Sequence, residues 1–352
     1  MTHSKLVFAF EKPRPYTNFG SRLLDEVSQP RAVTVIVPAR LHLGFLDLNG
    51  GLGRRFGGIG LAVSDLGTRL TIERASQSEV SGPDADRVWQ HLQKIEQLLS
   101  HRGGHRISVS QVVPAHAGLG SGTQLALAVA AGLRTLHNLS LDIAGDALRL
   151  GRGARSGIGI GLFSHGGLVV DGGRGPGATL APIVCRLPVP ENWRILVILD
   201  SQRQGIHGPG EGAIMGALPA MSAVDAGRLC RLVLMQALPA LADHDLENFG
   251  AAIKELQIGL GDYFAPVQGG ARFMSPDVAA ILESLDAAGA FGVGQSSWGP
   301  TGFAFAQTPD EAARLVIIAG PQARSRGLDI RICQALNLGA QIVPHGILDR
   351  VG

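Results

Sequence analysis

The chain has 352 residues, comfortable for two domains, and its 45% hydrophobic and 17% charged content fits a globular protein with a sizeable core. A formal net charge of +2, only 5% aromatic residues and no basic run interleaved with Phe or Tyr argue against a nucleic-acid partner. No apolar run approaches the roughly eighteen residues of a membrane span, and Cys185, Cys230 and Cys333 follow no metal-ligand spacing, so reduced thiols in a cytoplasmic protein are expected.

Residues 1–30 contain no apolar stretch of signal-peptide length and read as a loose, Pro-containing leader. RAVTVIVPARLHLGFLDL (31–48) is β-branched and alternating, which predicts one or two strands. GGLGRRFGGIGLAVS (50–64) is a Gly-rich connection with two arginines that runs into a short strand, and TRLTIERA (68–75) predicts another. An amphipathic helix is expected over 84–100, then a strand at HRISVSQVVP. From Thr123 to about His137 the Ala/Leu-rich pattern predicts a deeply buried helix. LDIAGDALRLGRGARSGIG suggests a helix ending in a Gly-rich turn, and GGLVVDGG a short strand or hairpin.

The prolines of RLPVPEN (186–192) place a boundary between an N-terminal domain over 31–188 and a C-terminal domain over 189–352. Beyond it come the strand WRILVILD and helices near 222–241, 245–258, 276–288 and 309–319. Strands are expected at AFGVGQSS, GFAFAQ and LDIRIC. Antiparallel-looking strands mixed with helices predict an α+β fold.

Glycine is in excess, with 49 residues clustered between the predicted elements. In PAHAGLGSGTQ the glycines permit turns that aim successive backbone N–H groups inward, and the helix that follows adds its own free N–H groups. That makes an anion site suited to a di- or triphosphate, built on Gly118, Gly120 and Gly122. Ser121 and Thr123 can add hydroxyl donors or cap the helix, and His116 either touches the anion or is merely exposed.

P-x-x-x-G-L-G-S-G before a buried helix resembles the second motif of the GHMP kinase superfamily. VPARLHLGFLDLNGG resembles its first motif, and GVGQSSWGPTGFAF (292–305) its third. The resemblance implies a two-domain α+β fold with the active site in the cleft between the domains. Many such kinases carry S-G-x-D, whose Asp takes the proton of the acceptor alcohol. Here Ser156 and Gly157 match, but Gly159 stands at the Asp position.

The segments RFGGIGLAV, GRGARSGIGIGLF, GGLVVDGG and QGIHGPGE, together with the three motifs, resemble one branch of the superfamily, the β-ribofuranosylaminobenzene 5′-phosphate synthases. That resemblance implies condensation of phosphoribosyl pyrophosphate with 4-hydroxybenzoate or 4-aminobenzoate, with loss of CO2 and pyrophosphate, in methanopterin-type cofactor synthesis. It implies Mg2+, no organic cofactor and, as in the family, a homodimer. No alcohol is deprotonated in that reaction, so an Asp at 159 is dispensable. An ATP-dependent small-molecule kinase and a non-catalytic ligand sensor on the same fold are the alternatives.

Roles follow from residue type. Arg40 and His42, at i and i+2, face one side of a strand. Arg40 suits a phosphate or carboxylate, and His42 a para hydroxyl or amine, or general-base work. Asp47 is a strand-end turn residue or a Mg2+ ligand. Arg54 and Arg55 suit a carboxylate or the ribose 5-phosphate; Arg152 and Arg155, beside Ser156, suit an anion. His207 and Glu211 form a candidate acid/base or metal pair. Ser296 and Ser297 are expected to line the site, with Trp298 stacking on the aromatic ring or serving as packing.

Overall fold

The computed structural model describes residues 29–100, 103–205, 214–215 and 218–347. Strand β1 (Pro30–Asp47) buries Val33, Val35 and Val37 at strand period in one core, then Ala39, Leu41, Leu43 and Phe45 in a second. Its register slips between Val37 and Ala39 and again between His42 and Gly44. The second slip inserts one residue, which turns Phe45 toward the side that carries His42; their ring centroids are 4.7 Å apart.

The two strands expected over 56–75 are one, β2 (Phe56–Ala75), bulged at Asp65, where φ is 66°. β3 (Glu79–Ser81), α1 (Ala85–Leu98) and β4 (Gly104–Gln111) follow, then α2 (Ser121–Leu136), whose near-continuous burial matches its uncharged sequence. α2 lies so close on β1 and β2 that a Cβ at Gly132 would come within 2.7 Å of Ile72. α3 (Ile143–Arg149) is capped by Asp142, which accepts from Gly145 N–H at 3.0 Å.

α4 (Ile158–His165) starts at the last two residues of the expected Gly-rich turn and continues through a segment for which the sequence reading gives no element. Its glycines lower helix propensity, but tertiary packing uses them: a Cβ at Gly161 would stand 2.6 Å from Ile183. β5 (Leu168–Asp171) pairs with β2, and β6 (Ile183–Leu187) with β5. β7 (Arg194–Asp200) begins a second sheet. It is followed by α5 (Ala223–Leu232), a π turn at Val233–Ala237, α6 (Leu238–Ala242), α7 (Leu246–Phe264) and α8 (Pro276–Ala287). β8 (Phe291–Gln295), β9 (Gly302–Ala306), α9 (Pro309–Ser325), β10 (Leu328–Cys333) and β11 (Gln341–Ile347) complete the described chain.

Among the described residues one sheet runs β11-β1-β2-β4-β3, with β5 and β6 attached through β2, and a four-stranded sheet runs β10-β7-β9-β8. The chain passes from the first sheet to the second between Leu187 and Arg194, and β11 crosses back to pair with β1. The fold is α+β.

Candidate active site

A cavity of about 550 Å³ opens between β1, the start of α2, the 151–156 turn and the β8–β9 turn. The loop before α2 takes left-handed backbone at His116 (φ 58°), Gly118 (φ 83°) and Gly120 (φ 74°). Gly118 is required: a Cβ there would lie 2.2 Å from the Ser296 carbonyl oxygen. Arg40 N–H donates to Leu119 O (3.1 Å) and Gly205 N–H to His116 O (2.8 Å). No side chain caps α2, whose N-cap is Gly120, and Ser121 and Thr123 both line the cavity. A helix N-terminus left uncapped by its own side chains suits an anion.

Arginines converge on this helix start. A Cβ at Gly120 would meet Arg40 Nε at 2.8 Å, and one at Gly122 would meet Arg152 and Arg87 guanidinium nitrogens at 3.1 and 3.5 Å. Arg87 is held by Asp84 at 2.6 Å and reaches Ser121 Oγ at 3.4 Å. Burial, and then the nearby Arg87 charge, lower the pKa of Arg152, whose Nε has no hydrogen-bond partner. Arg155 also lines the cavity, and no Asp or Glu does so among the described residues. An anion is the ligand that such a set of charges fits.

His42 is 2% exposed, and neither ring nitrogen has a partner. Burial first, and the Arg40 charge second, push its pKa from 6.5 down to about 3. The imidazole is therefore neutral, with one acceptor and one N–H donor that are uncommitted and buried at the edge of the cavity.

Ser296 does not line the cavity but lies fully buried behind it. Its hydroxyl accepts from His42 N–H (3.1 Å) and donates to Gly118 O (2.9 Å), tying the β8–β9 turn to both β1 and the loop. Ser297 and Trp298 do line the cavity, and Trp298 packs edge-to-face on Phe264 at 4.8 Å. Ser156 Oγ donates to Asp171 (3.0 Å), which also accepts from Gly157 and Gly173 N–H at 2.8 and 2.9 Å. Burial raises the Asp171 pKa, opposed by these hydrogen bonds.

The remaining expected residues lie elsewhere. Asp47 takes the turn role: its Oδ1 accepts from Asn49 and Gly50 N–H at 2.8 and 2.9 Å. Arg54 donates to Gly172 O and Gly173 O, both at 2.8 Å, and with Arg55 and Arg174 lines a separate cavity of about 880 Å³. His207 and Glu211 lie outside the described residues. No group of three His, Cys, Asp or Glu among the described residues is placed to hold a metal ion.

The GHMP kinases N terminal domain family matches residues 85–167, and the GHMP kinases C terminal family residues 237–316. The fold is similar to homoserine kinase from Cytophaga hutchinsonii, with TM-score 0.64 at 17% identity, covering 91% of this chain and 100% of that one. A β-ribofuranosylphenol 5′-phosphate synthase from Archaeoglobus fulgidus is 31% identical over 84% of this chain and 98% of its own. Another, from Methanothermobacter thermautotrophicus, is 31% identical over 75% of this chain and 85% of its own. The chain belongs to the β-ribofuranosylphenol 5′-phosphate synthase family.

Within this synthase-family chain, three cavity-related residues escape a reading of the sequence. Arg87 sits on an amphipathic helix where an arginine looks like ordinary solvated charge. Phe45 reaches the cavity only because the bulge reverses its side. Asp171 reads as a strand residue; its support of the Ser156–Gly157 turn depends on a contact across fourteen residues. No helix among the described residues is long and apolar enough to cross a membrane.

Proposed function

We propose that the chain transfers the phosphoribosyl group of phosphoribosyl pyrophosphate to the carboxyl-bearing ring carbon of a 4-substituted benzoate. The new bond joins that carbon to ribose C1 as the bond from C1 to pyrophosphate breaks. Loss of the carboxyl group as CO2 returns its bonding electron pair to the ring and restores aromaticity. The products are a β-ribofuranosyl phenol or aniline 5′-phosphate, CO2 and pyrophosphate. The name borne by the relatives supports 4-hydroxybenzoate as the acceptor.

The observation that carries this reading is the arginine-rich cavity around Gly120 and Gly122, with no carboxylate among its described lining residues and Gly159 in place of an acceptor-activating Asp. Negative charge grows on departing pyrophosphate, and guanidinium and backbone N–H donors already aimed there stabilise it. Nothing in the reaction needs an alcohol deprotonated, which fits the absence of a carboxylate among the described lining residues. Neutral His42 suits a hydrogen bond to the acceptor, whose para hydroxyl or amine supplies electron density to the attacking carbon.

Mg2+ usually takes one or two carboxylates together with substrate phosphates. The described lining supplies only the hydroxyls of Ser121, Thr123, Ser156 and Ser297, so it fits the anion better than the metal.

The test is incubation with phosphoribosyl pyrophosphate, Mg2+ and carboxyl-labelled 4-hydroxybenzoate or 4-aminobenzoate. Labelled CO2 and stoichiometric pyrophosphate are expected with at least one acid. A folded protein that releases CO2 from neither, or that instead consumes ATP with an alcohol, overturns the reading.

A further inference from the structure

Two serines that line the large cavity differ in what their hydroxyls can still do. Ser121 Oγ accepts from Arg87 at 3.4 Å, so its own hydrogen is uncommitted and suits an anion. Ser156 Oγ spends its only hydrogen on Asp171 Oδ2 at 3.0 Å and accepts from Ile158 N–H at 3.2 Å. One lone pair is left. Toward a ligand Ser156 can therefore accept a hydrogen bond but not give one.

The group behind Ser156 sharpens this polarity. Asp171 is fully buried, and Gly157 and Gly173 N–H donate to it along with the serine. Donors converging from three sides favour its charged form. The turn that carries Ser156 is fixed by packing: a Cβ at Gly157 would lie 2.7 Å from Ala181 O and 3.4 Å from Asp171 Cβ. A phosphate oxygen at Ser156 would face a lone pair backed by a buried negative charge, whereas a hydroxyl would find an acceptor. In a cavity lined by Arg40, Arg87, Arg152 and Arg155, this is a position for a donor.

With its phosphates ionised, phosphoribosyl pyrophosphate has two hydrogen-bond donors, the ribose 2- and 3-hydroxyls. Its C1 is α-configured, so the pyrophosphate and both hydroxyls lie on one face of the sugar. The wall that holds the pyrophosphate therefore also meets the hydroxyls, and Ser156 follows Arg152 and Arg155 in that wall. We propose, resting on the synthase reading, that Ser156, backed by Asp171, accepts the hydrogen bond of the ribose 2-hydroxyl and makes the site specific for ribosyl over 2-deoxyribosyl donors. The 2-hydroxyl sits on the carbon next to C1 and becomes more acidic as positive charge builds there, so its hydrogen bond tightens in the transition state. The acceptor ring attacks from the opposite, β face and leaves this contact undisturbed.

The experiment compares phosphoribosyl pyrophosphate with its 2-deoxy and 3-deoxy analogues in wild type and Ser156→Ala. It measures kcat/KM with whichever benzoate is turned over, and dissociation constants without acceptor. Ser156→Ala is expected to lower kcat/KM about thirtyfold for the parent compound and the 3-deoxy analogue, and to leave the 2-deoxy analogue within about twofold. Equal losses with all three donors, as a loosened turn or a disturbed metal would give, overturn the proposal, and so does an unaffected parent rate. A loss that spares the 3-deoxy analogue instead overturns it in favour of the 3-hydroxyl. Should Ser156→Ala fail to fold, wild-type binding decides: the 2-deoxy analogue is expected to bind about tenfold more weakly than the other two, and equal binding overturns the contact. A wild type that shows this binding order but releases no CO2 overturns the synthase reading and not the contact; one that binds none of the three overturns both.

Discussion

Gly159 of α4 rests directly on Thr123 of α2: a Cβ built at 159 would lie 3.1 Å from Thr123 Cγ2 and 3.7 Å from its hydroxyl. The place where related kinases carry a base is thus filled from the opposite helix, and Gln124 Nε2 donates to the Gly159 carbonyl at 3.1 Å. Gly159→Asp is expected to strain this contact and to bury a carboxylate without a designated partner. Overpacking and polar burial together cost about 2–4 kcal/mol. Melting temperature should fall by several degrees, and ATP-dependent phosphorylation of small alcohols should not appear. A variant as stable as wild type would show that room for the carboxylate exists.

Ser296 leads to a second expectation. Its hydroxyl holds His42 N–H and Gly118 O from a fully buried position, so Ser296→Ala leaves a buried donor and a buried acceptor short of a partner. Stability should drop by about 1–3 kcal/mol in denaturant titration. Because Gly118 sits in the anion loop, pyrophosphate should also stabilise the variant less than it stabilises wild type. Full retention of both would place the stitching of this loop elsewhere.

These two residues also show what the sequence makes legible. The Gly-rich loop, its buried helix and the substitution at 159 stand out because glycine placement and helical burial are local patterns. Arg40 and His42 are found together in the cavity, as two positions on one strand face require. Phe45 escapes because period-two alternation holds only until a bulge inserts a residue, and no local signal marks the slip between His42 and Gly44. α4 has no expected element in the sequence because Gly159 and Gly161 carry no helix signal of their own; their close packing on Thr123 and Ile183 shows only in the structure. Arg87 is set by long-range packing, and the turn bonds of Asp47 Oδ1 to Asn49 and Gly50 N–H appear only in the structure.

Arg152 combines partial burial, proximity to Arg87 and a partnerless Nε. In the absence of ligand that charge is poorly compensated, and removing it relieves repulsion. Arg152→Gln is therefore expected to melt no lower than wild type in the free form. The same change should raise the KM for phosphoribosyl pyrophosphate about tenfold, equivalent to about 1.4 kcal/mol. Thermal shift with and without pyrophosphate checks both halves. A variant that loses stability but keeps its pyrophosphate response would mean that Arg152 is structural.

Two histidines dominate the acid side of the stability profile, and His165 adds to it in the same direction through burial and the Arg186 charge. His42 and His91 are each held neutral down to about pH 3, against 6.5 for an exposed imidazole. For His91 burial is the main cause, followed by the Arg152, Arg87 and Lys94 charges. Between pH 6.5 and 3 the unfolded chain therefore binds protons that the folded chain refuses. Stability is fully present above about pH 6.5 and is lost as the pH falls through that window. Each histidine contributes a slope of up to about 1.4 kcal/mol per pH unit, so the pair contributes about 3. Urea titrations between pH 7.5 and 5, where most carboxylates stay ionised, should show this decline, and His91→Gln should roughly halve it. A flat profile over that range, or one that His91→Gln leaves unchanged, would mean that water or a rotated ring solvates these imidazoles when they take up a proton.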